Sequence, residues 1–521
     1  MQPFKDRFDE LLTDILAREQ DAHIPGPCAS PLCAREAVAR CRECHAKEPT
    51  CLECAVRAHR NLPFHWLEVW NGSFFERCDL ADHGFVLYLG HHGSPCAHIP
   101  RNEQAVSFVV VHVNGVHRCR IQYCHCPGRR TEMSQLLRSD LFPASTERIE
   151  TAFTCELLER YHVDFDVTKR NAQDFMRILA ILTPQDQETG KVKDRYRDFM
   201  LAARFYRHLT TVKRSGQRHG DMIPGRPAKD VTVPCLTCPI PGFNLPEGWE
   251  ATPSHLRYLY RLILCADGNY HLQKKIKKVD EKDEALSKGQ GYFIPAEEVQ
   301  PYLGKDYKKK AKGEKQSESE EDLTIMCSGL RVARAQRSGK FKSVDVSGVL
   351  SYSCEHVHFR PGATVDLQTT ETWGHNDCAL SRALRGTEGL QERALSYDVV
   401  CSYICHIRER FARSHPDLLP IIDELEMLLP KLHINAHQEL CQIVYAFCYA
   451  RGFALAHGEG VETPWAELNI AGLSTREMTA GARHDALNAL YNFWNWSKTQ
   501  KMGTCPAHVT TMSYSRLSPT T

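Results

Sequence analysis

The sequence predicts an α+β protein in which a small, metal-stapled module precedes a larger body of strands and helices. Three observations predict it. Closely spaced cysteines and histidines crowd residues 28–128. The apolar, β-branched runs FVVVHVNGVHRCRIQY (108–123) and YLYRLILCADGNYHLQ (258–273) read as strands. KDRYRDFMLAARFYRHLTTV (193–212) carries apolar residues at helical spacing.

The 521 residues suffice for two to four domains. Lys+Arg is 65 against Asp+Glu 64, so any nucleic-acid surface must be a local patch rather than a global basic field. No apolar run is long enough to span a membrane. The N-terminus, MQPFKDRFDELLTDILAREQ, is charged throughout and lacks the apolar centre of a secretory signal. An intracellular, reducing environment is therefore expected. There, 23 cysteines, eleven of them between Cys28 and Cys126, point to metal rather than to disulfides.

Residues 1–27 are expected to form an amphipathic helix through Phe4, Phe8, Leu11, Leu12, Ile15 and Leu16. Residues 28–128 form the cysteine cluster, including two strands around an Asn114-Gly115 turn. Residues 129–250 read as a helical linker domain, with a Ser/Thr cap signal before STERIETAFTCELLERY. Strands then return in 251–500, at SVDVSGVLSYSC and SYDVVCSY, before a mostly helical stretch from about 404. The charged segment 304–322 reads as a disordered loop. Its KKKAK run is either a nuclear-import signal or plain solvated charge. Residues 501–521 are a tail.

The metal spacing is Cys28-x4-Cys33-x7-Cys41-x2-Cys44-x6-Cys51-x2-Cys54-x4-His59-x5-His65. Zinc takes four such ligands in a tetrahedron, so these eight would fill two sites whose binding energy folds the segment. The order resembles a B-box-type cross-brace, with Cys28, Cys33, Cys51 and Cys54 on one ion and Cys41, Cys44, His59 and His65 on the other. Sequential pairing is the alternative. Cys96, His117, Cys124 and Cys126, with His91 nearby, form either a third zinc site or a small β unit with buried cysteines. Cys235-x2-Cys238 is a knuckle without an obvious partner.

Three carboxylates stand at strand ends or before a helix: Asp267, Asp398 and Glu459. Such groups suit a pair of divalent ions, yet each also fits a turn or cap. His433, His437 and Cys441 have the spacing of one helix face and suit either a metal or a packed core. Trp494 and Trp496 suit either base stacking or core anchoring.

The segments PFHWLEVWNGSFF, LGHHGSPC, CPIPGFNLPEGW, CADGNYHLQKK, DLQTTETWGHNDC, SYDVVC, HINAHQELCQ, HGEGVETPWAELN and STREMTAGARHDALNALYNFWNW follow one another in the order of KDZ DNA transposases, which they resemble. The N-terminal part resembles the CxC-type cysteine cluster that accompanies them. The resemblance implies an RNase H-like core with helical insertions and a DDE mechanism using Mg²⁺ or Mn²⁺. Asp267, Asp398 and Glu459 would be the acids, with Glu462 a candidate for the third. It also implies DNA partners (transposon ends and target), a homo-oligomer and nuclear residence. Lys274, Lys275, Lys277 and Lys278 would contact phosphates or guard a strand edge. The chain departs from the family pattern at His457, Thr463, LQTTET (367–372) and CEHV (354–357). A catalytically inactive, zinc-dependent binding protein descended from a transposase is the competing expectation.

Overall fold

The computed structural model describes residues 1–19, 24–45, 48–184, 193–216, 229–278, 280, 283–303, 343–368 and 370–502. The segment 304–322 with its KKKAK run, and 503–521 of the tail, lie outside the described residues. The chain divides into two compact units, Met1–Phe165 with Arg170–Tyr206, and Asp166–Lys169 with Arg207–Thr521. Among the described residues no helix is long and apolar enough to cross a membrane.

In the first unit the expected N-terminal helix forms at Phe8–Ala17, with Phe8, Leu11, Leu12, Ile15 and Leu16 all exposed. Next comes an antiparallel sheet of β1 (Ala39–Cys41), β2 (Leu67–Trp70) and β3 (Phe75–Cys78), with the short helix Leu52–Ala58 between β1 and β2. Its core is small: Ala39, Cys41, Ala55, Leu67 and Leu80 are buried together.

A five-stranded sheet follows, comprising β4 (Leu87–Tyr88), β5 (Val106–His112), β6 (Gly115–Gln122), β7 (Leu141–Pro143) and β8 (Thr151–Thr154), in the order β4-β6-β5-β8-β7. The β5–β6 register pairs His112 with Gly115, so the two-residue loop is Val113-Asn114, one position before the expected turn. Gly115 (φ 146°) opens β6, where a Cβ would meet Thr183 Oγ1 at 2.9 Å and the Trp66 ring at 3.2 Å. The helical reading of residues from 145 is corrected at β8. Its TAFT residues, β-branched and aromatic, pair in parallel with Val109–Val111 before the helix Cys155–Thr168 begins. Phe153, Tyr161, Phe175 and Phe199 then build an aromatic core, with Tyr161 and Phe199 rings 4.9 Å apart.

The second unit is organised by a mixed sheet of β9 (Leu262–Asn269), β10 (Gly348–Cys354), β11 (Phe359–Leu367), β12 (Arg393–Tyr397) and β13 (Glu426–Leu428). The order is β11-β10-β9-β12-β13, antiparallel on one side of β9 and parallel on the other. Every residue of β10 and β12 is buried, as a sheet covered on both faces requires. Tyr491, on the C-terminal helix Ala480–Met502, stacks on Phe359 at 3.7 Å. Asn495 of that helix accepts the Phe359 N–H (2.9 Å) and donates to its carbonyl (3.0 Å). Trp494 is buried and donates to Val357 O at 2.7 Å, whereas Trp496 is exposed. Of the lysines after Asp267, Lys274 pairs with Asp345, and Lys275 and Lys277 both pair with Glu477.

Asp366 ties this helix to β11. Its carboxylate takes Arg483 at 2.7 Å and His484 at 2.8 Å, and Arg483 also donates to Leu272 O. Burial opposes ionisation of Asp366, but Arg483 and then His484 outweigh it and hold the carboxyl well below its ordinary range. Arg483 is fully buried, so losing its partner strands a charge. Asp366→Ala is expected to lower unfolding free energy by about 3–5 kcal/mol at neutral pH in urea denaturation. Because the folded-state pKa is depressed, this contribution is present above the unfolded carboxyl pKa and is lost as pH falls through the folded one.

Candidate functional site

In the first unit two Cys/His groups interleave. The ligand atoms of Cys28, Cys33, Cys51 and Cys54 lie within 4.8 Å of one another, as do those of Cys41, Cys44, His59 and His65. Separations such as Cys33 Sγ–Cys51 Sγ (3.8 Å) and Cys41 Sγ–His65 Nδ1 (3.6 Å) match the edges of a zinc tetrahedron, about 3.5–3.8 Å for metal–ligand bonds of about 2.1–2.3 Å. The local fold explains the meeting. Cys41 ends β1, and Cys51 immediately precedes the helix that carries Cys54. His59, at the end of that helix, has its Nδ1 2.7 Å from Ala55 O, which leaves Nε2 facing Cys44 Sγ at 3.4 Å. A ligand histidine held through its other nitrogen is the usual arrangement at metal sites. The Cys51 N–H points at Cys28 Sγ (3.2 Å), and backbone donation from Cys54 leads the effects that draw the Cys51 thiol down to about 7.

A third group comprises His91, Cys96, Cys124 and Cys126. His91 Nε2 lies 3.2 Å from Cys124 Sγ and 3.4 Å from Cys126 Sγ. The N–H groups of His125 and then His98 lower the Cys96 thiol to about 6. The expectation that His117 belongs here is corrected. Its ring stacks on Trp66 at 3.9 Å, with Nε2 2.9 Å from Asn114 and Nδ1 3.3 Å from Asp79. His117 lies within β6, whereas Cys124 and Cys126 lie beyond its end, and His91 takes the place assigned to it.

In the second unit the β9–β12 register sets two acids side by side. Ala266 pairs with Tyr397 on parallel strands spaced about 4.8 Å apart, so Asp267 within β9 and Asp398 just past the end of β12 come side by side. Asp267 accepts Trp465 Nε1 at 2.9 Å, and Trp465 lies one turn after Glu462 in the helix Glu462–Leu468. Burial, then Asp398, then Glu462 push the Asp267 carboxyl up to about 7. Glu459 is buried, and its Oε1 accepts the Leu432 N–H at 2.6 Å. His433 stands between the two glutamates, 3.5 Å from Glu459 and 3.4 Å from Glu462, and they help raise its pKa to about 9. Gly458 (φ 73°) admits only glycine, because a Cβ would run into Ser396 and Phe447, and this presses the Glu459 loop against β12.

Glu371 was not singled out in the sequence. It lies between β11 and the helix Trp373–Leu384 and bonds to the Tyr397 hydroxyl. Burial, then Asp398, raise it to about 8, with Asp267 contributing. No local spacing signals it, since only tertiary packing brings it to the two aspartates.

His433, His437 and Cys441 do not share one helix face, because the chain is extended at His437 (ψ 163°) before the helix Glu439–Val444. His437 and Cys441 nevertheless meet Cys401, with Cys401 Sγ 3.5 Å from His437 Nδ1.

An α+β protein with clustered soft ligand atoms and a crowd of partly buried carboxylates is a candidate metalloprotein. Residues 260–495 match the Kyakuja-Dileera-Zisupton (KDZ) transposase family model, and residues 80–187 match the CxC2-like cysteine cluster associated with KDZ transposases. The chain thus carries a KDZ transposase domain together with the cysteine cluster that accompanies it, which supports a transposase or a protein derived from one. No curated protein and no solved structure matches it. The cysteine-cluster match includes the His91 group, while the two interleaved groups lie upstream of it.

Crowding the acids together has a cost. Asp267 and Glu371 have folded-state pKa values above their ordinary ones, so without a cation the folded state loses stability as pH rises above the unfolded carboxyl pKa, through about 7 to 8. Asp267→Asn is expected to stabilise the metal-free protein at pH 8 by roughly 1–3 kcal/mol, and to leave it little changed near pH 4.5, in paired denaturation curves. A loss of stability at pH 8 would contradict this.

Proposed function

We propose that this chain cleaves and joins DNA by a DDE mechanism in an RNase H-like core, with Asp267, Asp398 and a glutamate at Glu459 or Glu462 as metal ligands. The observation that carries the reading is the placement of Asp267 on β9 beside Asp398, just past the end of the parallel β12, with both glutamates across from them. The sheet order, two antiparallel and two parallel neighbours around β9, supports the fold assignment.

Mg²⁺ or Mn²⁺ bound there would supply the Lewis acidity that activates a water or 3′-hydroxyl against a phosphodiester. The chain's own residues do the rest. Trp465 orients the Asp267 carboxylate and the Leu432 N–H orients Glu459. His433, raised to about 9 by Glu459 and Glu462, offsets part of the charge of that pair. Glu371, buttressed by Tyr397, adds charge that favours a divalent cation over none. The Cys/His groups suit structural Zn²⁺ through their thiolate and imidazole donors. Arg129, Arg130 and Arg138 line a groove with His91 and His92 beside the third group, a surface fitted to phosphates of transposon ends or target DNA. Nuclear residence and a homo-oligomer complete the proposal.

The second reading, a binding protein without cleavage, is favoured by His433 bridging Glu459 and Glu462 and by His457 beside Gly458. Strand cleavage with Mn²⁺ separates the two. The parent protein is expected to cut, Asp267→Asn to fall to background, and Glu371→Gln to lose about 10- to 100-fold, the range for groups that support metal ligands. Comparing Glu459→Gln with Glu462→Gln identifies the third ligand by the greater loss. Equal cutting by the parent and Asp267→Asn would remove the assignment, and salt-sensitive DNA binding without cutting would establish the second reading.

A further inference from the structure

The knuckle Cys235-x2-Cys238, unpartnered along the sequence, meets the end of β10. The ligand atoms of Cys235, Cys238, Cys354 and His356 lie within 4.8 Å of one another, and Cys238 Sγ is 3.5 Å from His356 Nδ1. We infer that these four residues form a Cys₃His structural zinc site inside the second unit. The separation fits a tetrahedral edge, and three thiolates with one imidazole are a closed structural set with no open position.

The surroundings are built for it on both sides. On the knuckle side, Asn244 donates to Leu236 O and Cys238 O, each at 2.8 Å, and accepts the Ile240 N–H at 2.8 Å, which locks the loop that presents both cysteines. On the strand side, the chain reverses between Cys354 and Phe359 through Val357 at φ 67°. A β-branched residue in the left-handed region is a costly outlier. It is held there by the Val357 N–H to Cys354 O (2.8 Å), the Cys354 N–H to His358 O (2.9 Å) and the Trp494 indole on Val357 O. The reversal turns His356 toward the thiols. His358, two residues on, also lies against Cys235 and Cys354, but its nitrogens are 3.0 Å from His356 O and 3.1 Å from Thr499 Oγ1, and it is His356 whose ligand atom groups with all three thiols. Cys235, Cys238 and Cys354 are all buried, while His356 lies exposed at the open side.

The site lies against the acidic loop through one residue. Glu355, between the two strand-side ligands, accepts the His457 N–H at 3.1 Å, next to Gly458 and Glu459. A metal that fixes Cys354 and His356 thereby fixes the carboxylate that holds this loop. Cys235 and Cys238 lie upstream of the interval that matches the transposase family model, and Cys354 and His356 lie within it.

The test is zinc content and release in the purified full-length chain. His356 is exposed, so His356→Ala should fold, as judged by an unchanged circular dichroism spectrum. It is expected to lose one zinc per chain under mild chelator challenge, or to release one zinc about 10- to 100-fold faster than the parent. His356→Cys restores a four-ligand set and is expected to keep the parent count. Cys238→Ser with Cys354→Ser is expected to lose the same single zinc while those of the first unit remain. An unchanged zinc count and release rate in His356→Ala would overturn the assignment, whatever the outcome of the cleavage assays.

Discussion

Two neighbouring parallel strands, β9 and β12, impose the constraint from which the second unit follows. Their register sets Asp267 beside Asp398, and burial leaves both with little water to share their charge. Like carboxylates in such a place stay protonated or acquire a counter-charge. Burial and neighbouring charge push Asp267 and Glu371 upward, and His433 sits between Glu459 and Glu462, which raise it. The aromatic and polar groups around them, Trp465, Tyr397 and Tyr270, hold the crowd in place.

The first unit meets a different constraint with the same class of solution. Residues 28–78 bury few apolar side chains, so the β1–β3 sheet relies on thiols and imidazoles gathered at its turns. Backbone N–H groups directed at Cys28 and Cys96 favour thiolates before any cation arrives. In both units the backbone sets the ligands in advance.

Legibility in the sequence followed how local each interaction is. The interleaved pairing of Cys28 through His65 was readable because C-x2-C knuckles recur at short intervals. His117 departs from the spacing-based expectation because a strand residue's direction depends on register, and β6 turns its ring to Trp66. The strand at Thr151–Thr154 was read as helix because its partner, Val109–Val111, lies forty residues earlier. Asp267 and Asp398 stood out only at the ends of apolar runs, and their adjacency needed β12 to insert beside β9. Glu371 carried no signal at all, since its position is set by the turn from β11 into the following helix.

The interleaving of the two N-terminal groups bears on how that segment assembles. Cys41 and Cys44 lie inside the loop closed by Cys33 and Cys51, and His59 and His65 lie just beyond it. Whichever quartet closes first draws the ends of the other together and shortens the span that must still be searched. Were both groups to take a metal, the two closures would form one linked process, and removing either set of side chains would leave its neighbour a longer, less favourable one.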